Sequence, residues 1–227
     1  MTLPREEVVK GLVDEIDEFG TLVASLSDDE LAKPSRCEGW TVGDVAAHVT
    51  GQLADIVHGR FDGLGTPEVT QRQVDERRGR TGVELAAELK EANAIGKTIV
   101  ESIDDAAWAG PAPGPVQTTM GEGVEGLWYD AYVHAEDIRS ATGRPSERGP
   151  GLRASVAHLA DLLTQRGYGP ATLALDGLEA FPVSGGVEAG AGGKTIEGDP
   201  LDFVLVATGR RDPATLGLDD KVNVYAP

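Results

Sequence analysis

The stretch Cys37-Glu-Gly-Trp-Thr-Val-Gly-Asp-Val-Ala-Ala-His48 sets the reading of this chain. Thr41 followed three residues later by Asp44 is a helix-start signal. The hydroxyl can satisfy an amide that the first turn leaves free, and the carboxylate favours the positive end of the helix dipole. The helix that starts there carries Val45, His48, Val49, Leu53 and Ile56, the three- and four-residue spacing of one buried stripe. His48 lies within that stripe, so the spacing turns an imidazole inward.

Working outward, three more long segments repeat the pattern. One runs from about Pro4 to Ser25 with Val8, Leu12, Ile16, Phe19 and Val23 on its stripe, and a short capped turn follows at Ser27-Asp28-Asp29-Glu30. Another begins near Thr81 with Glu84 as its capping partner and continues through Leu85, Leu89, Ile95, Ile99 and Ile103. The last runs from about Gly121 to Thr142, where Gly143 suits a left-handed cap. The three prolines of Gly110 to Pro115 interrupt regular structure before it. Four amphipathic helices predict a four-helix bundle over residues 1–144, and the long Arg60 to Arg80 connection allows a crossover between parallel neighbours.

Gly143 to Gly151, with three Gly and two Pro, reads as a linker. Residues 150–227 change character: a helix over Leu152 to Arg166, a strand over Ala171 to Leu175, and a short strand near Thr195. An apolar segment, Leu201 to Ala207, opens on the helix-start pair Asp199-Pro200. The Gly-rich stretch Ser184 to Gly193 lacks the Lys-Ser/Thr pair of a phosphate loop and reads as a hairpin. The fold class is therefore α+β, a helical bundle followed by a small α+β domain.

Of the 227 residues, 20 are Lys or Arg and 38 are Asp or Glu, a formal net charge of −18. That balance argues against nucleic acid, whose phosphates are bound by clustered cations, and against an anionic membrane surface. No apolar run approaches the ~20 residues of a membrane span, and no signal peptide is evident, so the expectation is a soluble cytoplasmic protein. The single Cys37 builds neither an internal disulfide nor a multi-thiolate metal site.

The chain holds four histidines: His48, His58, His134 and His158. Asp130 lies four residues before His134, so on a helix both project from one face and can take two positions on one divalent metal. The other reading of this spacing is a surface pair or a capped core histidine. Together with the inward His48, they would form a two-His, one-carboxylate set with an open position, the arrangement of catalytic zinc. Periodicity alone does not assign the third ligand.

The Gly-Trp-Thr-Val-x-Asp-Val-x-x-His stretch ending at His48, and the Asp130-x-x-x-His134-x-x-Asp137-Ile138 segment, resemble the mycothiol-dependent maleylpyruvate isomerase family of the DinB-like superfamily. Gly198 to Asp202 and Thr208-Gly-Arg210 resemble that family's second domain. The resemblance implies a zinc ion, or another divalent metal, on His48, Asp130 and His134, with Asp130 standing where Glu is usual. It also implies a low-molecular-weight thiol such as mycothiol as cosubstrate. Metal coordination removes the thiol proton, and the thiolate then serves isomerisation or S-transfer on a small, electrophilic, anionic substrate. Arg210 would contact substrate or cosubstrate, and Gln52, one turn after His48, could line the cavity. Two further readings stand beside this one: a binding or regulatory member without catalysis, motivated by Asp130, and a hydrolase using zinc-bound water.

Other residues carry weaker expectations. Asp137 either orients a ligand imidazole or faces solvent, solvent being the default for a lone carboxylate. Cys37, beside Glu38, reads as a small buried residue and not a nucleophile. Trp40 and Trp128 read as packing at the bundle end, with a place at the pocket border also open. His58 falls near a helix C-terminus and its dipole, and His158 on an exposed face.

Overall fold

Capping boxes at Ser27/Glu30, Thr41/Asp44, Thr81/Glu84 and Thr119/Glu122 fix where four helices begin. The computed structural model describes residues 3–115, 117–184 and 193–226. It divides into two units, Pro4–Glu147 and a second made of Leu3 and the chain from Arg148 onward.

In the first unit, α1 (Arg5–Ala24), α3 (Val42–Val57), α5 (Gly82–Ser102) and α7 (Met120–Thr142) form a four-helix bundle. Short helices α2 (Asp28–Leu31), α4 (Pro67–Asp75) and α6 (Asp105–Ala109) lie in the connections. Both α1 and α3 pack on α5 and α7. Directions follow from which residues meet. Arg5 reaches the carbonyl of Ile103, and Gly82 abuts the Val23 carbonyl, so α1 and α5 are antiparallel. Gly11 and Glu15 meet Trp128, while Asp17, Thr21 and Leu22 share a shallow cleft with Arg139, so α1 and α7 are parallel. Cys37 meets Asp137 and His48 meets Asp130, so α3 runs against α7. Hence α3 and α5 are parallel neighbours, and residues 58–81 make the crossover that the long connection allows. That connection is not a plain loop: α4, capped by Thr66 with Pro67 in its first turn, sits inside it against α3.

The expected apolar stripes are buried along α1, with Val8, Leu12, Ile16, Phe19 and Val23 all nearly inaccessible. The stripe on α5 needs correction. Leu85 and Leu89 are buried, but the stripe continues through Ala92 and Asn93 to Val100, whereas Ile95 and Ile99 are more than two-fifths exposed. Asn93 belongs inside because its amide donates to the Val13 carbonyl, at 3.0 Å, and to Asp17. Gly143 closes α7 in the left-handed conformation, φ 71°.

The second unit contains α8 (Pro150–Gln165), β1 (Ala171–Leu175), β2 (Phe181–Val183), β3 (Lys194–Gly198) and α9 (Pro200–Ala207). The strand order is β2-β1-β3, with β2 antiparallel and β3 parallel to β1. Helix α8 packs on β2 and α9. Asp199 caps α9 by accepting from the amides of Leu201 and Asp202. The short β2, with Pro182 at its centre, is not expected from the sequence; proline lacks a ladder donor and confines the strand to an edge. The expected hairpin over Ser184 to Gly193 falls, apart from its two ends, outside the described residues. His158 is half-buried and not exposed, because α8 is covered on more than its leucine face.

Candidate metal centre

The antiparallel contact of α3 with α7 brings His48, Asp130 and His134 together. His48 Nε2 lies 3.9 Å from Asp130 Oδ2, and His134 Nε2 lies 3.5 Å from Asp130 Oδ1. The two imidazoles stand edge to face with centroids 5.3 Å apart. One donor atom from each of the three residues falls within 4.8 Å of the others, close enough for one ion to touch all three. His48 is 7 % and His134 9 % exposed, while Asp130 is half-buried. The shorter Asp130 side chain therefore still reaches both histidines.

Each imidazole is held at its far nitrogen. His48 Nδ1 lies 3.1 Å from Gln73 Oε1, and His134 Nδ1–H donates to Asp137 Oδ2 at 3.1 Å. Both Nε2 atoms are thereby directed at Asp130, the arrangement by which outer partners orient metal-binding histidines. Asp137 is fully buried and so does not face solvent; its second acceptor duty is to the Cys37 thiol, 3.4 Å away. Cys37 is half-buried, not a packed core residue, and its sulfur also lies 3.9 Å from His134 Nδ1.

Electrostatics separate the two histidines. Burial pushes the His48 imidazole below its ordinary value, with Asp130 opposing and His134 adding to the depression. Burial also acts to lower His134, but Asp130, Asp137 and Cys37 together outweigh it and raise that imidazole to about 10. The raised value favours a protonated His134 between Asp130 and Asp137.

A test of whether these residues suit a metal comes from Asp130. Its Oδ2 atom is buried and has no hydrogen-bond partner among the described residues. Such an atom is costly unless a positive charge lies beside it. Two neutral imidazoles and one carboxylate with a spare lone pair are the donor set of an open divalent site. A second group, Cys37, His134 and Asp137, is also close enough to share an ion. It would use His134 Nδ1, whereas the first uses Nε2, and a neutral imidazole has only one free lone pair. Asp137 already accepts from His134 and Cys37, so the orphaned Asp130 favours the first group.

The remaining expectations divide. Trp40 borders the site, its ring 5.3 Å from that of His48, whereas Trp128 is buried against α1, its ring filling the space left by Gly11. His58 caps α3 and donates from Nδ1 to the Ala54 carbonyl at 2.7 Å. Gln52 is half-buried on α3; the amide that meets His48 is instead Gln73, from α4. Sequence reasoning missed Gln73 because it lies in the connection read as a crossover loop; the Thr66-Pro67 start is the signal that marks its helix. Arg210 lies in the second unit, past α9, where it lines an open cleft of about 320 Å³ with Val206, Asp212 and Asn223.

Residues 12–139 match the model of the mycothiol maleylpyruvate isomerase N-terminal domain. The chain belongs to this family. Two solved structures resemble it across 96 % of its length and 96 % of theirs, each at 18 % identity. One is a crystal structure of the mycothiol-dependent maleylpyruvate isomerase, with a TM-score of 0.66. The other is a mutant of that enzyme with a histidine replaced by alanine, with a TM-score of 0.63. At this identity the likeness establishes a shared fold. No curated protein matches the chain. No helix of the described residues is long and apolar enough to cross a membrane.

Proposed function

We propose that this member of the mycothiol maleylpyruvate isomerase family is a metal- and thiol-dependent enzyme. It would carry out isomerisation or S-transfer on a small, electrophilic, anionic substrate. The observation that carries the reading is the convergence of His48 Nε2, His134 Nε2 and the orphaned Asp130 carboxylate on one point of the bundle. His48, Asp130 and His134 would hold zinc or another divalent ion. Once bound, such a cation supplies the Lewis acidity that lets a thiol lose its proton near neutral pH. Family membership supports mycothiol, or a similar small thiol, in that role.

The chain's own residues do the rest. Gln73 and Asp137 keep both imidazoles aimed, and Asp137 takes the His134 Nδ1 proton into a hydrogen bond so that Nε2 can serve as ligand. The Trp40 ring lies beside His48, tilted, with centroids 5.3 Å apart. Arg210 is proposed to bind an anionic group of the substrate, which its permanently charged guanidinium suits.

Protein purified without chelator should contain about one equivalent of zinc, and His134→Ala should lose both metal and activity. Turnover should require added mycothiol, and Arg210→Met should raise KM more than it lowers kcat. Wild-type protein with less than ~0.3 equivalents that added metal does not restore would refute the metal reading. Turnover without any thiol would replace it by hydrolysis with metal-bound water.

A further inference from the structure

We propose that Gln73 is a positioning residue that fixes His48 as its Nδ1–H tautomer, leaving the Nε2 lone pair for the cation. This rests on the metal reading above but is argued from a separate set of contacts. Asp55 is fully buried on α3. Its Oδ1 accepts from Arg60 Nε at 2.7 Å, and its Oδ2 accepts from Arg72 Nη2 at 2.6 Å and from Gln73 Nε2 at 2.8 Å. Two guanidinium groups keep that carboxylate ionised, so it can only accept.

The consequence passes along the chain of contacts. Gln73 is 1 % exposed, and turning its amide over would set a carbonyl oxygen against the Asp55 carboxylate. The amide orientation is therefore dictated, and Oε1 faces His48 Nδ1. A carbonyl oxygen accepts only, so Nδ1 must carry the hydrogen, and a neutral imidazole then has its lone pair at Nε2. Gln73 does this without adding negative charge to a site that already holds Asp130 and Asp137.

The fold is built to seat this amide. Gly51 lies one turn past His48, where a β-carbon would stand 2.7 Å from both Gln73 Cβ and Arg77 Nη1. Glycine in mid-helix costs about 1 kcal/mol relative to alanine. Here it lets α4 approach α3 closely enough for Gln73 to reach the imidazole.

The test begins with wild-type, metal-free, nitrogen-15-labelled protein at mildly alkaline pH. Two-bond correlations from the imidazole ring protons report which nitrogen is protonated. Hydrogen on Nδ1 of His48 is expected; hydrogen on Nε2 overturns the proposal, whatever the metal content. The companion measurement is zinc affinity of Gln73→Leu by competition with a chromophoric chelator, where a 10–100-fold loss is expected. Unchanged affinity overturns the proposal. Should that variant not fold, the wild-type tautomer alone decides. A wild-type protein that shows Nδ1–H on His48 but binds no zinc supports the positioning and refutes the metal reading, so the two fail separately.

Discussion

The two ring nitrogens of His134 face different partners on its own helix, Nε2 towards Asp130 four residues before and Nδ1 towards Asp137 three residues after; helical spacing brings both within reach, and packing against α3 buries Asp137 and sets His48 opposite Asp130. Glu15 shows the same dependence on packing. It sits on α1 three residues after Leu12 and four before Phe19, so spacing places it on the buried stripe while its charge argues for solvent. In the bundle it is 6 % exposed, accepts from Trp128 Nε1 at 3.3 Å, and is raised by burial to about 7. A carboxyl whose folded value exceeds its unfolded value of 4.5 favours folding most at low pH; that contribution is lost as pH rises from about 4.5 towards 7. Glu15→Gln should remove the penalty. The variant should be more stable than its parent by up to about 3 kcal/mol at pH 8, at about 1.4 kcal/mol per unit, and the gap should narrow towards pH 5.5. Urea unfolding at the two pH values checks this; a pH-independent gap would show that Glu15 is ionised when folded.

At the scale of elements, apolar spacing, helped by the capping pairs at Thr41 and Thr81, located the four long helices to within a residue or two, because both signals act inside one segment. They failed where a neighbour chose the buried face, as on α5, where α1 takes the amide of Asn93 and leaves Ile95 and Ile99 outside. They failed also for α4, whose short polar segment has little stripe of its own and is held by α3. Close helix contacts show in the glycines. A β-carbon on Gly11 would come within 2.2–2.5 Å of three atoms of the Trp128 ring, which is fully buried and has nowhere to retreat. Gly11→Ala should therefore destabilise the bundle by about 1–3 kcal/mol despite the better helix propensity of alanine. A thermal melt checks it; an unchanged or higher Tm would mean that α1 and α7 can separate without loss.

For the whole molecule, 38 acidic residues against 20 basic ones leave a net charge of −18, so self-repulsion weakens the folded state and salt should relieve it. Raising sodium chloride from about 0.02 M to about 0.3 M shortens the screening length from roughly 20 Å to roughly 6 Å and should raise Tm by several degrees. A fall would show that paired contacts such as Arg77 with Glu88 outweigh the repulsion. By itself the sequence determined the helical segments, the break near Gly143, and the candidates His48, Asp130 and His134, because periodicity and local capping are properties of one segment read along its axis. Only the tertiary structure decided that Asp130 reaches both histidines, that Asp137 and Cys37 are joined behind one of them, and that Gln73 and Asp55 stand behind the other. Those relations depend on how α3, α4 and α7 are set against one another, and close packing fixes that to within an ångström where sequence spacing says nothing.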